Sequence, residues 1–231
     1  MQKRGYLNFR QLQKALATPY LIFALCAWGN PAAASTALSF SSTNNGFVDS
    51  ISRMLGWQFT VKNSVKVTDL GWQDFGSNGL VFDHDVGIWN KGTQALLGSA
   101  VIPGGSGSPL TNFFRYVSAP SGITLDPGTT YVIAGFDHGS GDPHVWDVLL
   151  SGFNDQVNGF SIDPSIQLGP VGTAFGPIAA AFSFPTTTVG DTRRALMGPN
   201  FQFAPVPLPT AVWLLGSALG GLSFARRRIA I

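Results

Sequence analysis

The 231-residue sequence contains no glutamate and a single cysteine, and its charged residues make up only 11% of the chain. The cysteine, Cys26, lies so close to the amino terminus that a folded body starting near residue 35 can have no internal disulfide. Between Leu38 and Phe203 no stretch keeps a 3.6-residue apolar period for a dozen positions. These absences exclude a disulfide-linked scaffold and a helical bundle.

Positive charge is also scarce in the middle of the chain. Of the 14 Lys and Arg residues, four lie in the first 34 residues and three near the carboxyl terminus, whereas all 12 acidic residues are Asp and lie between these ends. The middle therefore carries seven basic and twelve acidic side chains, a formal charge of −5. A mildly acidic body is not expected to bind nucleic acid.

The amino-terminal segment, residues 1–34, has the layout of a secretory signal peptide. Four basic residues precede the apolar run Tyr20–Trp28, which is followed by the small residues of Pro31–Ala34. We expect cleavage after Ala34, with Ala37 as the second choice, and a permanent amino-terminal anchor as the alternative. The expected partners of this segment are the Sec translocon and signal peptidase.

The carboxyl-terminal segment, residues 204–231, has three parts in order. A proline-rich start is followed by the uncharged apolar run 211–225 and then by three arginines. As a helix, the run would extend roughly 22 Å, which is shorter than the ~30 Å hydrocarbon core of a bilayer. Snorkelling arginines can bridge that difference, and positive residues stay on the cytoplasmic side. The pattern predicts a short transmembrane helix that holds the body outside the cytoplasm.

This tail resembles the PEP-CTERM sorting signal in its Val-Pro-Leu-Pro form. The resemblance implies recognition by an intramembrane exosortase in a Gram-negative bacterium that makes exopolysaccharide. It also implies transient anchoring in the inner membrane, followed by transfer to the cell surface or extracellular matrix. The matching residues are Val206, Pro207, Leu208, Pro209, the stretch Trp213–Ser217, Arg226, Arg227 and Arg228.

The segment between the two signals, residues 35–203, predicts an all-β domain. Short stretches alternate apolar and polar residues and are separated by loops rich in glycine and proline, which favours an antiparallel, jelly-roll-like β-sandwich. We expect the first two strands to form a hairpin, and Tyr131 to anchor a corner between the sheets. The predicted strands are Trp57–Lys62, Val65–Leu70, Asp85–Trp89, Leu96–Ile102, Phe113–Ser118, Thr130–Phe136, Ile178–Phe184 and Phe201–Phe203.

The body also resembles a family of exported β-sandwich domains of unknown function, over roughly Gly46–Phe203. That resemblance implies a fold and no activity. A short helix is expected near Asp147–Leu150, within a long excursion of the chain over the rim of the sandwich. The stretches that carry the resemblance are Gly56–Val61, Leu70–Trp72, His84–Trp89, Phe114–Val117 and Leu125–Ile133.

Aspartate and histidine cluster in two loops that contain all three histidines of the chain, His84, His138 and His144. If the loops meet at one end of the sandwich, their oxygens could form a Ca²⁺ site, which needs six to eight oxygen ligands. A transition-metal site is a further alternative, and the simpler interpretation is that these side chains bond to nearby backbone in turns. We expect no cofactor unless calcium binds here. Its candidate ligands are Asp83, Asp85, Asp137, Asp142 and Asp147.

Tryptophan suggests an alternative role, because exposed indole rings can stack on sugars. Trp57, Trp72 and Trp89 lie in alternating stretches and are expected in the core, whereas Trp146 is the candidate glycan contact in a loop. A secreted hydrolase is disfavoured, since glutamate is absent and neither Gly-Ser-Gly sequence lies in a strand–turn–helix context. We therefore expect an exported, non-catalytic surface or matrix protein. The alternative is an adhesion module that binds carbohydrate or calcium.

Overall fold

The computed structural model describes residues 34–44, 51–139, 141–145, 157–169, 181–186 and 197–206. These residues form strands and contain no helix, so the all-β prediction is confirmed for them. The strands are β1 (Ser35–Thr36), β2 (Leu38–Ser39), β3 (Ser42–Thr43), β4 (Arg53–Val61), β5 (Val65–Gln73), β6 (His84–Asn90), β7 (Leu96–Ile102), β8 (Leu110–Thr111), β9 (Phe114–Ser118), β10 (Thr124–Leu125), β11 (Tyr131–Asp137), β12 (Val157–Asn158), β13 (Ser161–Ile162), β14 (Ile166–Leu168) and β15 (Pro199–Pro205).

Two antiparallel sheets contain most of these strands. The first, here called the β5 sheet, has the order β1-β15-β5-β9-β8, and β10 also pairs with β5. The second, the β4 sheet, has the order β14-β4-β11-β6-β7. Two small pairs, β12 with β3 and β13 with β2, complete the described part of the fold. This arrangement is consistent with the predicted β-sandwich.

Aromatic side chains fill the space between the sheets. Trp57 and Phe59 point inward from β4, and their ring centroids lie 5.9 Å and 5.0 Å from that of Phe201 on β15. The indole N–H of Trp57 donates a hydrogen bond of 2.9 Å to the carbonyl oxygen of Pro199. Period-two alternation places such residues on one face of each strand, so the two inner faces meet as a continuous apolar core.

The prediction for the tryptophans is confirmed for the three that the structure describes. Trp57 and Trp72 have no exposed surface, and Trp89 is 3% exposed. Trp89 lies on the outer face of the β4 sheet, where it packs against Phe182 at a centroid distance of 5.1 Å. The outer face of this sheet therefore has an apolar layer of its own.

The predicted hairpin between the first two long strands is wrong. β4 pairs with β11 and β14, whereas β5 pairs with β15, β9 and β10, so the two strands belong to different sheets. The three residues 62–64 cross from one sheet to the other. Val61 and Val65 flank this crossing, and both are buried in the same core. The alternation showed correctly that each strand has one apolar face. It did not show whether the two strands pair edge to edge in one sheet, as in a hairpin, or face each other across the core, as they do here.

The strand predicted over Ile178–Phe184 is not found in residues 181–184, the part of it that the structure describes. Phe182 and Phe184 instead lay their rings against Trp89, at centroid distances of 5.1 Å and 6.3 Å. Apolar residues two apart fit a strand, but they also fit an irregular segment that covers an apolar sheet face. The helix expected at Asp147–Leu150 lies outside the described residues.

Tyr131 anchors a corner between the sheets, as predicted. Its hydroxyl accepts a hydrogen bond of 2.8 Å from the backbone N–H of Asp126 and lies 3.3 Å from the carbonyl oxygen of the same residue. Asp126 follows β10, which pairs with the β5 sheet, while Tyr131 begins β11 in the β4 sheet. One side chain thus fixes the path by which the chain changes sheets.

The two ends of the described body lie side by side. β1 pairs with β15 so that Ser35 is opposite Phe203, and the backbone N–H of Val206 donates to the carbonyl oxygen of Ser64 at 3.2 Å. β15 therefore reaches Pro205, two residues past the predicted boundary at 203. No helix among the described residues is long and apolar enough to cross a membrane, and the run 211–225 lies outside them.

Candidate functional site

The two loops rich in aspartate and histidine meet at one end of the sandwich, which is the condition that the proposed Ca²⁺ site requires. One loop leads into β6 and the other follows β11, and these strands are neighbours in the β4 sheet. This end lies opposite the one where β15 finishes, since β15 begins beside Trp72 and ends beside Val65. We call the group the rim cluster; it consists of Asp83, His84, Asp137, His138, Asp142 and His144.

The carboxylate of Asp142 joins the two loops. It accepts hydrogen bonds from the backbone N–H groups of Val81 at 2.8 Å and Phe82 at 3.0 Å, and from Nε2 of His84 at 2.9 Å. The other ring nitrogen of His84 lies 2.9 Å from the carbonyl oxygen of Phe136. His84 thus connects the carboxylate of one loop to the backbone of β11, and both of its ring nitrogens have a partner. The His84–Asp142 contact is buried.

The ring of His84 also stacks on Trp72 across the core. The ring centroids lie 4.2 Å apart and the planes differ by 9°. The two rings therefore pack face to face. Gly135 on β11 makes room for the Trp72 ring, because a Cβ atom there would lie 2.6 Å from it. The local sequence thus places a large aromatic ring, a glycine and a histidine so that the contact between His84 and Asp142 is sealed from solvent.

The other predicted ligands bond mainly to nearby backbone. Asp83 Oδ1 accepts from the N–H of Gly104 at 2.7 Å, and the carbonyl oxygen of Asp83 contacts Nε2 of His138 at 2.8 Å. Asp137 Oδ1 accepts from the N–H of Gly139 at 3.3 Å. The second Asp137 oxygen lies 3.9 Å from Nδ1 of the buried His144. Only the contact of Asp137 with Gly139 is local in sequence, as the turn-chemistry interpretation requires, whereas Asp83 links separate loops.

No group of three or more His, Cys, Asp or Glu side chains is placed to hold a metal ion within the described residues. Asp142 directs both carboxylate oxygens at protein N–H groups, and Asp85 lies within β6 opposite Val101, away from the Asp142 contacts. Asp147 and Trp146 lie outside the described residues. Calcium binding by this end of the protein therefore stays a prediction, to be tested by the change in melting temperature when Ca²⁺ is added or chelated.

Burial by itself raises the pKa of the Asp142 carboxyl, but the hydrogen bonds from His84 and from the backbone of Val81 and Phe82 outweigh it and hold the pKa below its ordinary value. A carboxyl whose pKa is lower in the folded state stabilises the fold when ionised. That contribution is present above the unfolded pKa of about 3.9 and is lost as the pH falls through the lower folded value.

Asp142→Asn is expected to lower the free energy of unfolding by about 2 to 3 kcal/mol at pH 7, because the hydrogen bonds that the carboxylate accepts from His84 and from the backbone of Val81 and Phe82 are lost or weakened. The difference from the parent should shrink as the pH is lowered toward 3. Urea unfolding at pH 7, 5 and 3 measures it. Asp126→Asn, which removes an exposed carboxylate, serves as the control. A deficit that is the same at every pH would contradict this role of the Asp142 charge.

The buried ion pair of Arg115 with Asp74 was not predicted from the sequence. Arg115 on β9 donates from Nε to Asp74 Oδ2 at 2.7 Å, and its NH1 donates to the carbonyl oxygens of Ser106 and Ser108, each at 2.8 Å. The side chains of Arg115 and Asp74 are 5% and 2% exposed. Asp74 also accepts from the backbone of the glycine-rich loop at 76–79. An aspartate directly before such a loop is the one sequence signal that could have indicated it.

A pocket of about 410 Å³ lies on the outer face of the β5 sheet. Asp69 on β5 stands in register with Gln202 on β15 and with Ser118 on β9, which makes a polar row across three strands. Tyr116 and Thr111 contribute to the wall. We call this the outer pocket; its lining residues are Asp69, Gly107, Ser108, Pro109, Thr111, Tyr116, Val117, Ser118 and Gln202.

A β-bulge creates the outer pocket. Gln202 is opposite Asp69 and the next residue, Phe203, is opposite Val67, so Thr68 is an extra residue in β5. Val67 and Leu70 both point into the core. The extra residue turns Asp69 to the outer face, because a bulge shifts the alternation by one position. The adjacent polar residues Thr68 and Asp69 in the alternating run were the signal for it.

A comparison with protein-family models finds none that matches the chain, and a comparison with curated proteins finds no match either.

Proposed function

We propose that the chain is an exported, non-catalytic protein of the cell surface or exopolysaccharide matrix of a Gram-negative bacterium. In this proposal a signal helix directs the chain through the Sec translocon and is removed by signal peptidase. A transmembrane helix over 211–225 then holds the jelly-roll-like body at the inner membrane. An exosortase-type enzyme recognises Val206–Pro209 and Arg226–Arg228 and releases the body.

The junction between body and tail carries this proposal. β15 pairs with β5 over seven residue pairs and ends at Pro205, directly before the Val-Pro-Leu-Pro sequence. Val206 is 40% exposed. A cut within or after the motif would therefore leave every described strand intact. A removable signal needs this separation between the fold and the segment that is lost.

The amino-terminal junction supports cleavage after Ala34. Ser35 and Thr36 form β1 and pair with Phe203 and Gln202 of β15. Cleavage after Ala37 would remove this strand, whereas cleavage after Ala34 keeps it. The first-choice site thus preserves a strand that lies beside the tail junction.

The rim cluster supports a non-catalytic role. His84 and Asp142 are buried, and each bonds to protein partners that hold two loops together. His138 lies at the surface, where Nε2 contacts the backbone carbonyl of Asp83. These groups act as structural links between β6, β11 and their loops.

Intact mass measurement of the protein from surface material tests the proposal. Expressed in a Gram-negative host with an exosortase, the protein is expected to begin at Ser35 and to lack the arginine cluster. A matched variant with Arg226→Gln, Arg227→Gln and Arg228→Gln should retain the tail and stay in the membrane fraction, because the topology signal is gone. Full-length protein in surface material would contradict processing at both ends.

A further inference from the structure

Several polar clusters of the described body are satisfied by protein partners. Asn200, beside the outer pocket, bonds through its amide to Leu38 and to the hydroxyl of Tyr116. The rim cluster and the pair of Arg115 with Asp74 are likewise engaged with protein partners. In the outer pocket, by contrast, four polar side chains converge and make no hydrogen bond or ion pair with other described residues. They are Asp69, Gln202, Ser118 and Thr111.

We propose that the outer pocket binds a neutral sugar residue of a polysaccharide. The inference rests on the proposed export of the protein, which places the pocket where extracellular polysaccharide is present. It names a ligand class and a site away from the loop that contains Trp146.

The hydrogen-bonding groups of the pocket match a polyhydroxylated ring. The carboxylate of Asp69 accepts hydrogen bonds, the amide of Gln202 both donates and accepts, and the hydroxyls of Ser118 and Thr111 do the same. A sugar hydroxyl also donates and accepts, so a ring with several of them can satisfy all four groups at once. Pro109 adds apolar surface for the C–H groups of the ring.

Charge selects a neutral ligand. Among the described residues, Asp69 is the only charged one that lines the pocket, and the nearby Arg115 is paired with Asp74. Burial of the Tyr116 hydroxyl, with the Asp69 charge beside it, holds its pKa well above the ordinary value despite a hydrogen bond with Thr36, so the phenol stays neutral. A uronic acid would place its carboxylate near Asp69 without a cation to offset it. A simple amine would use only the carboxylate and leave three polar groups unmatched.

The dimensions fit one sugar unit of a longer chain. The volume of about 410 Å³ lies within the usual range of small-ligand pockets, roughly 300 to 1,000 Å³. Ser118 and Thr111 are exposed, so the pocket is open to solvent on that side. Neighbouring units of a polymer can leave through this opening. Gly71 on β5 is opposite Tyr116 on β9. Its lack of a side chain lets the Tyr116 ring lie against the sheet, since a Cβ atom at residue 71 would come within 2.5 Å of that ring.

Affinity electrophoresis of the purified full-length protein tests this site. Gels contain a neutral glucan, galactan or mannan, the polyuronate alginate, or poly-lysine. Retardation by at least one neutral polymer and none by alginate is expected. Asp69→Asn and Gln202→Ala should each weaken that binding about tenfold, because each removes hydrogen bonds to the ligand. Asp126→Asn makes the same charge change on an exposed aspartate outside the pocket and should bind as the parent does.

Several results of this experiment would contradict the sugar-binding proposal. Binding to no neutral polymer, stronger binding to alginate, or retardation by poly-lysine alone would each overturn the inference. So would neutral binding that Asp69→Asn and Gln202→Ala leave unchanged, provided that both variants unfold in urea at the parent midpoint. The binding gels test the sugar site, and the intact mass of the surface protein tests export and processing. The two proposals can therefore fail independently.

Discussion

Arg115→Met is expected to lower the free energy of unfolding by about 3 to 5 kcal/mol, the usual cost of leaving one member of a buried ion pair without its partner. Asp74 would keep its charge at 2% side-chain exposure. The carbonyl oxygens of Ser106 and Ser108 would also lose their donor. Methionine fills a similar volume, so the loss reports on charge and hydrogen bonding more than on packing. Urea unfolding of the purified protein, followed by tryptophan fluorescence, measures it.

Two matched variants locate the cause of this loss. Adding Asp74→Asn to Arg115→Met removes the stranded charge and should recover part of the stability, since the asparagine oxygen can still accept a backbone hydrogen bond. Lys66→Met removes an exposed cation from the same sheet and should change the free energy of unfolding by less than about 0.5 kcal/mol. If the double variant is no more stable than Arg115→Met, the unpaired charge is not the main cost.

Phe59→Ala is expected to destabilise the fold by about 3 to 5 kcal/mol through the cavity that it leaves. Phe59 has no exposed surface, and its ring lies 5.0 Å from Trp57, 5.0 Å from Phe201 and 5.8 Å from Tyr131, measured between centroids. Those partners belong to three strands in two sheets, so no single side chain can move in to fill the space. The midpoint and slope of urea unfolding give the change.

Phe59→Leu and Val81→Ala calibrate this result. Leucine keeps most of the buried volume and should cost less than alanine at the same position. Val81 is 60% exposed, so its truncation should cost less than about 0.5 kcal/mol. A loss at Phe59→Ala no larger than that at Val81→Ala would contradict the central position of Phe59 in the core.

Long strands were predictable because each has enough side chains to show alternation. Leu96–Ile102 was predicted with the bounds that the structure has, and β6, β9 and β11 differ from their predictions by one or two residues at an end. Strands of two or three residues, such as β1 and β14, have too few side chains to show a period. Their positions depend on the partners to which they bond, which lie far away in sequence.

The alternating pattern did not show which strands hydrogen-bond to each other. β4 and β5 are separated by three residues, yet each finds its neighbours more than 40 residues away in the chain. Which sheet a strand joins depends on how the apolar faces of all the strands are buried together. A local sequence pattern therefore shows which face of a strand is apolar, but it does not show which strands pair.

The candidate sites show the same limit. The sequence shows aspartates and histidines in two loops but not whether the loops meet; the hydrogen bonds of Asp142 show that they do. Whether such groups bind a metal or the backbone depends on distances that the sequence does not contain. The outer pocket combines Asp69, Ser118 and Gln202 from three strands, and only their register brings them together.

The position of β15 determines how the body would respond to mechanical force. β15 lies between β1 and β5, and the tail leaves from its end at Pro205. Hydrogen bonds in an antiparallel pair run perpendicular to the strands, so a pull on Val206 along the strand axis loads the seven pairs with β5 together in shear. A pull across an edge strand would instead break such bonds one after another. A body tethered through this strand is therefore held where the sheet resists extension best.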